Sequence, residues 1–100
     1  MTPRSKISAF LVRARTAIRA GHVIISDYAM EGAEGLGWDE SDVYQQVHDL
    51  APDDFLRCED SHVHPWEMIW VFTPSLSEEE SLWIRLVERN GIIVVSFHTG

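Results

Sequence analysis

This chain has a single cysteine, Cys58, so no internal disulfide can staple it. A lone thiol suits a reducing compartment, and the cytoplasm is the expected location. No apolar run reaches the roughly 20 residues that a membrane span requires, so no membrane partner is expected. The first helical pattern carries Arg13, Arg15 and Arg19 through its middle, unlike a secretory signal. Gly32, Gly35 and Gly37 have neither the spacing nor the preceding strand of a phosphate-binding loop. Paired cysteines and the helical two-histidine spacing of zinc sites are also missing. His62-Val63-His64, with Cys58, Glu59 or Asp60 nearby, is therefore a weak metal motif, and no metal or cofactor is expected. Acids crowd Cys58 and oppose its thiolate, which argues against a cysteine nucleophile.

A basic excess is lacking too. The formal net charge is −8, which disfavours non-specific nucleic-acid binding by the whole surface. The charge is unevenly placed. Before residue 27 there are five cations (Arg4, Lys6, Arg13, Arg15, Arg19) and no acid; the remainder holds Arg57, Arg85 and Arg89 against 16 acids. Screening over about 8 Å lets a local basic patch act on its own. The acidic surface otherwise reads as solvation.

The 100 residues are 45% hydrophobic, enough for the modest core of one domain, residues 1–100. Lys6 to Ala20 reads as an amphipathic helix, with Ile7, Phe10, Leu11, Ala14, Ala17 and Ile18 on one stripe and Gly21 as its stop. His22 to Ile25 is a short extended piece. Ser26 or Asp27 caps a second helix that the glycines should end early. Asp39 caps a third, with Val43, Val47 and Leu50 inward. Pro52 with Asp53 and Asp54 suggests a single further turn. From Leu56 the period becomes two: Leu56 to Asp60, Trp66 to Phe72, Leu82 to Glu88 and Ile92 to Phe97 read as strands. The expected fold is α+β, with N-terminal helices packed on a C-terminal antiparallel sheet of about four strands.

Asn90-Gly91 lies between two apolar alternating runs and predicts a two-residue type I′ hairpin turn. That turn sets Glu88 opposite Ile93, Val87 opposite Val94, Arg85 opposite Ser96 and Trp83 opposite His98. Leu82, Ile84, Leu86, Val95 and Phe97 then share an apolar face, and Trp83, Arg85, Ser96 and His98 share the other. Imidazole titrates near neutrality and can move a proton. A guanidinium holds a phosphate through a fork of donors, and an indole stacks a base. Together these suit metal-free RNA cleavage, in which a 2′-hydroxyl attacks the adjacent phosphate. The plain alternative buries Trp83 and leaves His98 as a frayed terminus. Arg57 shares a face with Glu59 and could simply pair with it. His64 is a candidate proton acceptor.

The run IRAGHVIISDYAMEGAEGLGWDESDVYQQVHDLAPDDFLR, the tryptophan-rich strand and LWIRLVERNGIIVVSFH resemble the MqsR family of type II toxin–antitoxin ribonucleases. The resemblance covers roughly residues 5–98. It implies a RelE-like domain that cleaves mRNA by 2′-hydroxyl attack without metal and is silenced by a cognate antitoxin. Arg57 falls where the family has a lysine after the Asp-Phe turn. Trp83 falls on a family tyrosine and His98 on a lysine after Val-Ser-Phe. Met68 to Phe72 replaces a family strand that carries glutamine, which is missing here unless Glu67 substitutes. Other RelE-like toxins resemble this chain in placing a histidine near the C-terminus. The resemblance thus implies Arg57 and Arg85 on the phosphate, His98 as acid, Trp83 stacking a base, and His64 as the proton acceptor, with His62 or Glu67 behind it. Arg13, Arg15 and Ser96 would touch the RNA. The competing expectation is a non-catalytic protein-interaction module of the same fold, binding through the basic helix or a sheet edge.

Overall fold

The protein is described by a computed structural model over residues 2–99. Helix α1 spans Arg4–Ala20 and buries Ile7, Phe10, Leu11, Ala14 and Ala17, the expected stripe. It ends at Gly21, whose φ of 75° only glycine adopts without strain. There Gly21 N–H donates to Ile18 C=O and His22 N–H to Ala17 C=O, a Schellman closure that satisfies the last carbonyls. Helix α2, Asp27–Gly35, is capped by the Ser26 hydroxyl, which accepts from Ala29 N–H at 3.0 Å. Helix α3, Glu40–His48, starts in a reciprocal capping box between Asp39 and Asp42. A 3-10 turn, Pro52–Asp54, leads into the sheet.

Four strands were expected; five are present among the described residues. They are β1 (Val23–Ile25), β2 (Phe55–Asp60), β3 (Met68–Phe72), β4 (Leu82–Glu88) and β5 (Ile92–Thr99), in the order β1-β5-β4-β3-β2. The added strand is the short extended piece after α1. It pairs parallel to β5, with Ile24 opposite Ile93. Trp66 lies outside β3, because the preceding chain turns back and Glu67 N–H donates to His64 C=O at 2.8 Å.

All three helices lie on one face of the sheet. Phe10 stacks on Trp70 with ring centroids 4.3 Å apart and planes 8° off parallel. Around this pair Phe72, Leu82, Ile84, Leu86, Val94 and Phe97 join the helical stripes in one core. The glycines end α2 early as expected, at Gly35, but Gly32 is not its stop. It sits inside the helix, where an added Cβ would stand 1.7 Å from the Phe97 carbonyl oxygen. The glycine lets α2 lie directly on β5.

The hairpin between β4 and β5 departs from the expected pairing near its turn. Glu88 faces Ile92, Val87 faces Ile93 and Leu86 faces Val94, one residue out of step. Asn90 (φ 53°) and Gly91 (φ 124°) do take the left-handed conformations. However, Ile92 N–H is drawn to the His22 carbonyl at 2.9 Å, so it cannot close a two-residue turn onto Arg89. An Ala-sized side chain at 91 would also meet that carbonyl, at 2.3 Å. A bulge between Arg85 and Leu86, opposite Val95, then restores the step. Beyond it Arg85 faces Ser96 and Trp83 faces His98, as expected. One consequence is a correction: Val94, and not Val95, points into the core. Ser26 fixes the bulge. Its N–H donates to Val94 C=O at 2.9 Å and its hydroxyl to Val95 C=O at 2.8 Å.

Candidate active site

The face of the sheet turned away from the helices carries the charged cluster. Strand alternation puts Arg57 and Glu59 of β2 on this face, with Trp83 and Arg85 of β4 and His98 of β5. On β3, between β2 and β4, Val71 pairs with both Arg57 and Arg85 and is fully buried, although it is not part of the main core. Arginine stems cover apolar surface in this way while their heads stay wet.

Three contacts organise the cluster. Arg57 Nε–H donates to Glu59 Oε2 at 2.9 Å, and its Nη2 lies 2.8 Å from the same oxygen. Arg85 Nε–H reaches the other oxygen, Oε1, at 3.1 Å. Both guanidinium carbons stand 5.8 Å from the Trp83 ring centroid, within cation–π range. Hydrogen bonding from Arg85, backed by Arg57 and opposed by partial burial, holds the Glu59 carboxyl below the ordinary carboxylate range. Trp83 and His98 are half-buried and occupy opposed positions, and His98 Nδ1 lies 3.1 Å from its neighbour's carbonyl, Thr99 O. The expected trio and Arg57 are thus brought onto one surface, with the indole neither sunk in the core nor isolated.

Other candidates fall elsewhere. His64 lines a cavity of about 220 Å³ further along the same face, with Glu67, Arg89, Ile69, Val87, Ile93 and Val95, and its ring sits 5.1 Å from that of Trp66. Glu67 is tied to Arg89 through Nε at 2.6 Å, which lowers its carboxyl's pKa. Ser96 is 4% exposed and its hydroxyl is shut off from solvent, so it presents nothing to an RNA. Arg15 is a correction as well. Its Nε–H and Nη2–H donate to the His48 and Leu50 carbonyls at 3.0 and 2.7 Å, closing the end of α3. Arg13 is paired with Glu88, Nε to Oε2 at 2.6 Å. Both belong to the helical side. Burial raises the Cys58 thiol, in keeping with its exclusion as a nucleophile. Among the described residues no three of His, Cys, Asp and Glu converge into a metal-holding group, and no helix is long and apolar enough to cross a membrane.

Sequence reasoning missed the second partner of Glu59. Alternation gave the Arg57–Glu59 pair, but the bond to Arg85 spans from β2 across β3 to β4 and depends on strand order.

Helices on one side of a mostly antiparallel sheet, and two guanidiniums with an indole and an imidazole on the other, define a small α+β domain with a charged, aromatic face opposite its helices. Comparison with family models gives the rest. Residues 7–99 match the MqsR toxin family, described as motility quorum-sensing regulator, toxin of MqsA, and the chain belongs to that family. It is accordingly a toxin of a toxin–antitoxin system, with a cognate antitoxin as its partner. No curated protein matches it.

Proposed function

We propose that this toxin is a metal-independent endoribonuclease that cleaves mRNA by attack of a 2′-hydroxyl on the adjacent phosphate. The observation that carries the reading is the pair of guanidiniums on either side of Glu59, both within reach of Trp83. Arg57 and Arg85 bind the scissile phosphate and offset charge that grows on its oxygens in the transition state. Donors remain for this: among the described residues Arg57 Nη1 and both Nη groups of Arg85 make no hydrogen bond within the protein. Trp83 offers its face to a base next to that phosphate. His98, across from Trp83, protonates the departing 5′-oxygen. Side chains supply both the cation and the acid, so the step needs no metal ion. Arg13, Arg15 and Ser96 have no part in it, being engaged or covered within the fold. The cell that makes the RNA is the place of action, which gives a cytoplasmic enzyme.

The test is cleavage of a single-stranded RNA by the purified protein in the presence of a chelator, followed by end-group analysis. The expected products end in 2′,3′-cyclic phosphate and 5′-hydroxyl. His98→Ala should slow cleavage by about 100-fold or more, the usual contribution of a general acid. If wild-type protein leaves RNA intact and is as harmless in growing cells as His98→Ala, the non-catalytic module is the better account.

A further inference from the structure

Building on the ribonuclease reading, the geometry points to Glu59 as the general base that takes the proton from the attacking 2′-hydroxyl. A phosphate held by Arg57 and Arg85 takes the Nη donors that Glu59 leaves open, beside the ring both guanidiniums approach. Glu59 lies between the same two guanidiniums, bonded to one through each oxygen. It therefore lies beside any phosphate, and the ribose attached to it, that those guanidiniums hold. Its side chain is 26% exposed, open enough to reach a substrate. His64, the acceptor expected from the sequence, lines the adjoining cavity with Glu67 and Arg89 and makes no hydrogen bond or ion pair with either guanidinium of the pair among the described residues.

The groups facing Glu59 explain how it is kept ready. Arg57 approaches from its own strand and Arg85 from β4, while its β3 neighbours, Ile69 and Val71, carry no charge. In the free protein the two cations keep the carboxylate ionised but make it a weak base. A bound phosphate shares those cations, and the loss of their pull strengthens Glu59 as a proton acceptor at the moment it is needed. The step balances. The 2′-oxygen loses its proton to Glu59 and bonds to phosphorus; the bond from phosphorus to the 5′-oxygen breaks; His98 gives that oxygen a proton.

The experiment measures kcat/KM for a short RNA between pH 4 and 9 with wild type, Glu59→Gln, Glu59→Asp and His98→Ala. Affinity for the same sequence in 2′-deoxy form is measured in parallel. Glu59→Gln is expected to lose about 100-fold or more in rate. It should also lose the acid limb of the pH profile, and should bind the deoxy strand as well as wild type or better. Glu59→Asp, which keeps a carboxylate, should recover part of the rate. Glu59→Gln at wild-type rate, with His98→Ala inactive, overturns the base assignment and leaves the ribonuclease standing. A Glu59→Gln enzyme faster than wild type shows a plug on the anion site instead. If wild type forms no cyclic phosphate, the ribonuclease reading fails and the base assignment goes with it.

Discussion

Trp83 shows how one side chain can serve both fold and site. Its ring lies half-buried on the open face, and both flanking guanidiniums stand 5.8 Å from its centroid. Each such contact is worth roughly 0.5–1 kcal/mol where solvent reaches it, so the indole holds the two cations near one another as well as offering a platform. Stacking of a base on an aromatic side chain contributes about 1–3 kcal/mol. Trp83→Ala is therefore expected to weaken binding of a non-cleavable 2′-O-methyl oligonucleotide by that amount. Trp83→Phe should retain most of the affinity. Fluorescence anisotropy of a labelled strand reads both. Equal affinity for wild type and Trp83→Ala would remove the stacking role.

Among the elements, α2 and β5 are packed backbone to backbone beside His98. Gly32 lets the helix touch the strand at Phe97, one residue before His98. A methyl group there meets backbone and cannot be accommodated by a side-chain rotation. Gly32→Ala should cost about 3 kcal/mol, the upper end of the range for overpacking, measured as a lower urea midpoint at unchanged slope. The helices and their caps were legible in the sequence because their signals are local: Ser26, Asp39, Gly21 and Pro52 act within a turn of themselves, while the start of α1 at Arg4 and the reciprocal bond from Asp42 were not read. The gathering of Trp83, Arg85 and His98 on one face was legible too, since it needs only alternation and the pairing beyond the bulge; Arg57 joins them through strand order, for which the family resemblance was the one guide. What could not be read is non-local. The three-residue β1 earns its pairing from β5 alone, and the turn's altered step arises from His22, about 70 positions earlier. Arg15 looked like a free cation because its carbonyl partners, His48 and Leu50, come from a different helix end.

Over the whole molecule the cations are largely spent on internal partners. Arg4 pairs with Asp53, Arg13 with Glu88, Arg89 with Glu67, and Arg15 with backbone carbonyls. With a net charge of −8 around them, the proposed site rests on Arg57 and Arg85, which share Glu59 and, among the described residues, keep Nη groups without an internal hydrogen bond. Binding of a single strand should therefore release few counterions. Two phosphate-binding arginines predict a slope of log K against log salt of about −1.4, measured by titrating a non-cleavable oligonucleotide in rising KCl. A slope steeper than about −3, by the same relation, would mean that the N-terminal cations join in. The bulge opposite Val95, pinned by Ser26, bears on how this architecture tolerates change. It acts as an expansion joint: irregularity at the 90–91 bend is absorbed before it can reach Ser96 and His98. Loop-length variation at that tip can accumulate with the His98 end left undisturbed, whereas altering Ser26 removes a bond that pins the bulge.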